Sequence, residues 1–280
     1  MARRENSLIQ DLVTIGIVGC GYRGSELAAL IGSRFRNRAQ IVGVYDVDFE
    51  RAGSLASYLG PHIRVFPSVE DLVDRARLVI EVASDDAVAG LVKTALHAGR
   101  DVLITSVGGL VDHLELLEQA DDSRGRLLVP SGMLAGVDAV KACREGSVAS
   151  VLLTSRLPRS MLAESPYVRQ HDIDIDSGTD DRTVFDGTGA EACRGFPVIA
   201  DAVMTLALAG LGLERTRVRV VVTRRFEAPS YEIEVKGDFG RVITRTENVQ
   251  FPPYPKLTYL AMQSAVAKLH QYLDSIVVGT

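Results

Sequence analysis

Residues 14–24, TIGIVGCGYRG, pass from a short β-branched stretch into Gly19-x-Gly21-x-x-Gly24 and then into a helical pattern. A strand, three glycines at this spacing and a helix make the turn that receives a dinucleotide pyrophosphate. Gly19 is expected to make the tight turn, Gly21 to let backbone approach the phosphates, and Gly24 to let helix lie on strand. Tyr22 and Arg23 fall in the first turn of that helix, where N–H groups lack intrahelical partners and the dipole is positive. A second apolar stretch, QIVGVYD, ends at Asp46, where an acidic side chain would bind the ribose diol and repel a 2′-phosphate. NAD is therefore the expected cofactor. NADP is the alternative, because Arg23 and Arg51 lie near the expected phosphate and ribose ends.

Up to about residue 144 the chain alternates short apolar runs with amphipathic segments, the rhythm of a doubly wound parallel sheet. Strands are predicted at residues 14–18, 41–45, 64–66, 78–82, 102–105 and 127–129. Helices fall between them, such as 85–98, with Ala87, Leu91, Val92, Ala95 and Leu96 at helical spacing and Gly99 as a stop. Ligands on such sheets collect at the carboxyl ends of strands. That singles out Ala83 and Ser84 after the fourth strand, Ser106 and Gly108 after the fifth, and Ser131 and Gly132 after the sixth.

Beyond residue 147 the runs lengthen, at 150–156, 217–224, 231–236 and 241–247, with Gly237-Asp238-Phe239-Gly240 joining the last two. They predict a mostly antiparallel sheet, covered on one face by an apolar helix over 196–213. The expected architecture is α/β: a dinucleotide-binding domain over residues 1–146, then a substrate and dimerisation domain over 147–255 with the mostly antiparallel sheet. A C-terminal helix over 256–275 is expected to pack back on the first domain.

The 280 residues carry 31 basic and 36 acidic side chains, a formal charge of −5 that argues against a nucleic-acid partner. Three widely separated cysteines suit reduced thiols in the cytoplasm and lack metal-ligand spacing. The N-terminal MARRENSLIQDL has no apolar run of signal-peptide length and is expected to be an extension before the first strand. Asp172, Asp174, Asp176 and Gly178 imitate a calcium loop, but the glycine comes one position late and Thr183 stands where glutamate is needed. No metal is expected.

The segment from Ser131, SGMLAGVDAV, resembles the glycine-rich loop of the L-aspartate dehydrogenase family, and further blocks follow that family's order. They are EVAS from Glu81, TSVGGLVD from Thr105, LLTSR ending at Arg156, FDGTGAEACRGFP from Phe185, EIEVKGDFG from Glu232 and PKLTYLAMQS from Pro255. The resemblance implies a Rossmann-type domain followed by an α/β domain whose sheet supports a homodimer. It also implies oxidation of an amino acid to its imine, with hydrolysis to an oxo acid and ammonia. Tyr231 stands where the family has a histidine, Asp201 where it has an asparagine, and Leu157 where it has a lysine.

These departures make a substrate other than aspartate an expectation. Histidine titrates near working pH and suits transfer of the amine proton, whereas tyrosine, with a pKa of about 10, serves better as a hydrogen-bond donor. By the resemblance, Tyr231 lies near the reacting nitrogen and Asp201 faces the pocket. Arg156, by a bidentate fork, and Lys256 are candidates to bind the substrate carboxylate. Two other readings stand beside this one: a catalytically silent dinucleotide-binding sensor or partner protein, and a sugar oxidoreductase of the Gfo/Idh type. The latter's Glu-Lys-Pro signature is replaced here by Thr105-Ser106-Val107-Gly108.

Overall fold

The computed structural model describes residues 12–176, 181–225, 227–251 and 254–279, with the side chains of 251 and 254–257 outside the description. Residues 1–11, which hold nearly all of the expected N-terminal extension, and Gly178 lie outside the described residues.

The first half builds β1 (Val13–Val18), α1 (Tyr22–Arg34), β2 (Ala39–Tyr45), α2 (Phe49–Leu59), β3 (Arg64–Val65) and α3 (Val69–Arg75). It continues with β4 (Leu78–Glu81), α4 (Asp85–His97), β5 (Asp101–Ile104), α5 (Glu115–Asp122), β6 (Leu127–Leu128) and α6 (Val137–Arg144). All six strands pair in parallel in the order β3-β2-β1-β4-β5-β6. Both faces of such a sheet must be covered, which explains the near-continuous apolar runs of β1 and β4. Local signals set the helix starts: the Asp48 side chain accepts from the Glu50 and Arg51 amides at the head of α2, and Ser68 accepts from Asp71 N–H at the head of α3.

The second half comprises β7 (Val148–Pro158), α7 (Arg159–Leu162), α8 (Pro166–Gln170), β8 (Arg182–Thr188), α9 (Gly189–Gly195), α10 (Ala200–Ala209) and β9 (Thr216–Thr223). It ends with β10 (Ser230–Gly237), β11 (Gly240–Glu247), β12 (Gln250–Phe251), β13 (Tyr254–Thr258) and α11 (Tyr259–Leu273). The five-stranded sheet has the order β11-β10-β7-β9-β8. Its pairings are antiparallel except β7 with β9, which run parallel. The Gly237–Gly240 hairpin forms as expected, with φ of +103° at Gly240. The apolar helix is shorter than its pattern predicted, because Phe196-Pro197 opens a separate 3-10 turn, Pro197–Ile199, and α10 stops at Gly210. Its residues are nearly all buried, which is why its apolar character runs all round.

Two core regions result. On one face of the parallel sheet, Ile15, Ile17, Leu27, Ile31 and Phe35 pack with Val266 and Leu269 of α11. On the other, Val79, Val88, Leu91 and Val102 belong to one continuous core that runs through α10 into Leu153, Tyr231 and Ile233 of the second sheet. No described helix is long and apolar enough to cross a membrane.

Candidate active site

The carboxyl ends of β1, β4, β5 and β6 meet α10 and α11, and this junction holds the candidate residues. Gly19 has φ of +101°, and a Cβ there would lie 2.7 Å from the Val82 carbonyl and the Ala83 nitrogen. At Gly24 a Cβ would fall 2.0 Å from Gly19 O, so only glycine lets α1 lie this close to the turn. Gly21 differs, because no atom of the described residues beyond its own local backbone lies within 4 Å of a Cβ built there. Gly21 is also the N-cap of α1 and gives no side-chain cap, so the turn sits at the uncapped, positive end of that helix. Two tight glycines and one open one are what a bound pyrophosphate demands of this turn.

Asp46 follows β2 and is tied back to the turn. One carboxylate oxygen accepts from Cys20 N–H at 2.6 Å and the other from Asp48 N–H at 2.9 Å. The carboxylate thereby couples the glycine turn to the end of β2, where a ribose diol would lie. Arg51, expected near that end, pairs with Asp48 at 3.0 Å. The Cys20 thiol between the glycines is buried, and its pKa is pushed up to about 12, first by burial and then by Asp46, so it is an unreactive filler.

A cleft of about 830 Å³ runs along Gly21, Tyr22, Arg23, Ala83, Ser84 and Ser106. Its far wall, built by the second half of the chain, includes Ser160, Met161, Glu164, Pro197, Val198, Asp201 and Gln250. A smaller chamber of about 80 Å³ lies beside it, with Thr105, Gly132, Met133, Thr205, Thr258 and Met262 in its wall. Arg23, Val82 and Asp201 line both spaces. Cleft size matches a ligand site, and its wall carries Arg23, Asp85, Glu164 and Asp201 as charged groups.

Asp201 stands in the first turn of α10 and accepts a hydrogen bond from Gly108 N–H at 2.8 Å. Its pKa is raised to about 6, chiefly by burial; the Gly108 bond and Arg23 oppose the shift, and Asp85 and Glu81 add to it. Gly108 has its own reason to be glycine, since a Cβ there would sit 2.7 Å from Ala200 Cβ. The loop of Ser131 and Gly132 is held by β11: Thr246 Oγ1 donates to Met133 O at 3.0 Å and Thr244 Oγ1 to Ala135 O at 2.7 Å. Gly132, with φ of +61°, turns that loop into the chamber wall.

Tyr231 faces the same side of the second sheet as α10 and is 1% exposed. Its hydroxyl has no hydrogen-bond partner among the described residues. Burial, then the nearby Asp201 charge, raise its pKa, so the phenol stays protonated and can donate but not abstract. Tyr231 is not part of the wall of either space.

Arg156 is not brought to this junction. In the register of the second sheet Tyr231 pairs with Ser155, while Arg156 pairs with Ser230. Side chains alternate along a strand, so Arg156 and Tyr231 stand on opposite faces. Arg156 instead reaches Glu232 at 3.5 Å on the open face. A carboxylate fork at Arg156 would therefore lie on the face away from Tyr231. Lys256 belongs to β13, and its side chain lies outside the described residues.

Sequence reasoning missed the contribution of α11, whose Ala261, Met262 and Ala265 line the chamber. Glu81 is a second such residue. The signal was a carboxylate ending the otherwise apolar strand LVIE; buried carboxylates are rare unless compensated.

A parallel sheet with this glycine turn, an acidic residue after β2 and a cleft against a second α/β layer define an NAD(P)-dependent oxidoreductase. Residues 19–130 match the family profile described as homoserine dehydrogenase, NAD binding domain, and residues 138–272 the one described as aspartate dehydrogenase, C-terminal. The L-aspartate dehydrogenase of Methanosarcina mazei is 36% identical over 273 residues, spanning 96% of this chain and 100% of the relative. That of Methanocella arvoryzae is 38% identical over 270 residues, 95% of this chain and 99% of the relative. Among solved structures, aspartate dehydrogenase from Thermotoga maritima superposes with a TM-score of 0.73 at 20% identity, over 95% of this chain and 99% of that one. The structure of GenD2 from gentamicin A biosynthesis in complex with NAD matches less closely, with a TM-score of 0.52 at 16% identity over 99% and 89%. The chain belongs to the L-aspartate dehydrogenase family, oxidoreductases that use NAD(P) and act on CH–NH2 donors.

Proposed function

We propose that the chain catalyses oxidation of an amino acid at its α-carbon, and the reverse reduction of the imine, with Asp201 as the group that faces the reacting nitrogen. The carrying observation is that Asp201 lines both the cleft and the chamber while Gly108 N–H fixes its position. A bound NAD would supply the hydride acceptor for this oxidation. Gly19, Gly21 and Gly24, with Tyr22 and Arg23 beside them, would hold its pyrophosphate, and Asp46 its adenine-side ribose. Ala83, Ser84, Ser106 and Gly108, with Ser131 and Gly132, would serve its other half.

A carboxylate with a pKa near 6 is ionised at pH 7 to 8, so Asp201 pairs with a substrate ammonium, takes one of its protons as the α-carbon is oxidised, and releases that proton to solvent before the hydrolytic half. In the hydrolytic half it accepts the proton of the water that adds to the imine carbon, within the pKa range that suits a general base. Tyr231, protonated and outside the walls of both spaces, moves no proton. Arg23, lining both spaces, meets the negative charge that either ligand brings, with Lys256 as a second contact for a carboxylate. The asparagine-to-aspartate and histidine-to-tyrosine departures support a substrate that carries no second carboxylate beside Asp201.

We assign the nucleotide-binding unit to residues 1–146 and the substrate unit to 147–255, with residues 256–275 returning to the first. The enzyme works as a cytoplasmic homodimer. The test is NADH or NADPH oxidation with a panel of oxo acids plus ammonium and of preformed cyclic imines. Turnover that collapses in Asp201→Asn supports the reading. Tight NADH binding with no turnover on the whole panel would instead favour the silent dinucleotide-binding protein, to which the buried, proton-retaining Tyr231 lends support.

A further inference from the structure

Glu81 ends β4 and is 0% exposed. Moving a carboxylate out of water is costly, and proteins ordinarily compensate it with a cation. The compensation here is different. Glu81 Oε1 accepts from Ala83 N–H at 2.6 Å and from Ser106 Oγ at 3.0 Å. Oε2 accepts from Thr105 N–H at 3.0 Å and Ser106 N–H at 2.9 Å.

All four donors belong to the two loops that follow β4 and β5. The regular ladder between these strands reaches its last pair at Glu81 and Ile104. Just past that pair Thr105 still donates to the Glu81 carbonyl, from its N–H at 3.3 Å and its Oγ1 at 3.1 Å, and no backbone bond between the two loops follows among the described residues. The Glu81 side chain takes over there: it shares the Thr105 N–H with the Glu81 carbonyl and accepts from the Ala83 and Ser106 N–H groups. Ala83 and Ser106 line the cleft, and Thr105 lines the chamber.

We propose that Glu81 is a positioning residue, a brace that holds the β4 and β5 loops at the spacing required by the nicotinamide half of the cofactor. This rests on the reading of those loops as cofactor-binding. The adenylate half, at Asp46 and the glycine turn, is anchored by other bonds, so the brace acts on one half only.

Glu81→Gln tests it. The isosteric amide keeps one acceptor oxygen and turns the other position into a donor, so a backbone N–H on one of the two loops loses its acceptor whichever way the amide lies. NADH and AMP are titrated against wild type and variant, AMP reporting the adenylate half alone. The expected result is an NADH Kd raised roughly tenfold with the AMP Kd within about twofold, from the typical cost of a buried unpaired donor. Equal weakening of both ligands would reduce Glu81 to general support of the fold and overturn the proposal, and so would an unchanged NADH Kd. Failure of the wild type to bind NADH at all would remove the cofactor reading first, and the brace with it. Should the Gln variant not fold, Ser106→Ala decides: it deletes one of the four bonds, from a hydroxyl buried against Glu81. The same split, at about fivefold on NADH, is expected; no effect on NADH would overturn the brace.

Discussion

Asp201 and Gly108, 93 positions apart, are joined by a 2.8 Å hydrogen bond that carries α10 of the second layer onto the loop after β5 of the first. The bond uses the one residue type that fits, since a side chain at position 108 would strike Ala200. It also leaves a carboxylate between the cleft and the chamber whose burial raises its pKa to about 6. Fixing a charge in that position has a cost in stability, and the cost has a pH signature.

Because the folded-state pKa of Asp201 lies above its unfolded value, the folded protein holds this proton more tightly. The contribution to stability is therefore full at low pH and falls as pH rises from about 4 to about 6, staying low above that. Asp201→Asn keeps an oxygen for Gly108 N–H and removes the charge. At pH 8 the variant should melt a few degrees higher than wild type, with at most about 3 kcal/mol at stake, and the difference should vanish near pH 4. Scanning fluorimetry across pH reads this directly. Amine oxidation should fall by about a hundredfold or more in the same variant, and a variant with wild-type turnover would remove Asp201 from the reaction.

Gly21 and Gly24 make opposite predictions despite sharing one motif. A methyl at Gly21 meets no atom of the described residues within 4 Å beyond its own local backbone, so Gly21→Ala should leave the melting temperature within about one degree. It should nevertheless weaken NADH roughly tenfold or more, because the methyl enters the space a pyrophosphate would use. Gly24→Ala places its methyl 2.0 Å from Gly19 O and should destabilise the protein by several degrees before any cofactor is added. Isothermal titration and thermal melts on the pair separate the two roles. A Gly21→Ala protein with unaltered NADH affinity would contradict the proposed pyrophosphate position.

Arg156 should matter little to catalysis. It sits on the face of β7 away from α10 and pairs with Glu232 at 3.5 Å, a partly exposed contact. Arg156→Ala is expected to change the KM for the substrate by less than about twofold and stability by under about 1 kcal/mol. A tenfold rise in KM in steady-state assays would restore the carboxylate-fork reading and imply that this open face contributes to a site.

The difference between Gly21 and Arg156 explains what the sequence could reveal. Short-range chemistry was legible: three glycines, the strand before them and Asp46 lie within one βαβ unit, where spacing alone fixes geometry. Strand alternation was legible within β7 and β10 separately, but the relative parity of the two strands depends on register, which no local pattern states. That is why Arg156 and Tyr231, both credible on their own strands, proved to face opposite ways. The strand β8 escaped for a similar reason. Its RTVFDGT is interrupted by Asp186 and carries an irregularity between Thr183 and Phe185, so alternation fails where the pairing with β9 bends. Asp186 itself faces outward to Arg217 and Arg219. Asp201 and Glu81 could be seen as polar residues in apolar surroundings, but their partners Gly108 and Ser106 come from elements brought together only by the fold.

Tyr231 supplies the sharpest test of whether the departure from histidine altered the chemistry or ended it. A hydroxyl that is buried without a partner costs about 1–3 kcal/mol relative to one that is satisfied, and Tyr231 is in that position among the described residues. Tyr231→Phe removes only that oxygen and leaves the ring packed against the core of α10 and the second sheet. Without ligands the variant should be as stable as wild type or more stable by about 1 kcal/mol. If the hydroxyl has its acceptor in the reacting substrate, kcat should fall about tenfold or more at saturating NADH while KM changes little, the mark of a bond made in the transition state. A variant that melts lower would mean the hydroxyl already has a partner in the resting protein. Unchanged kcat would make Tyr231 a core aromatic and leave the proton chemistry to Asp201 alone.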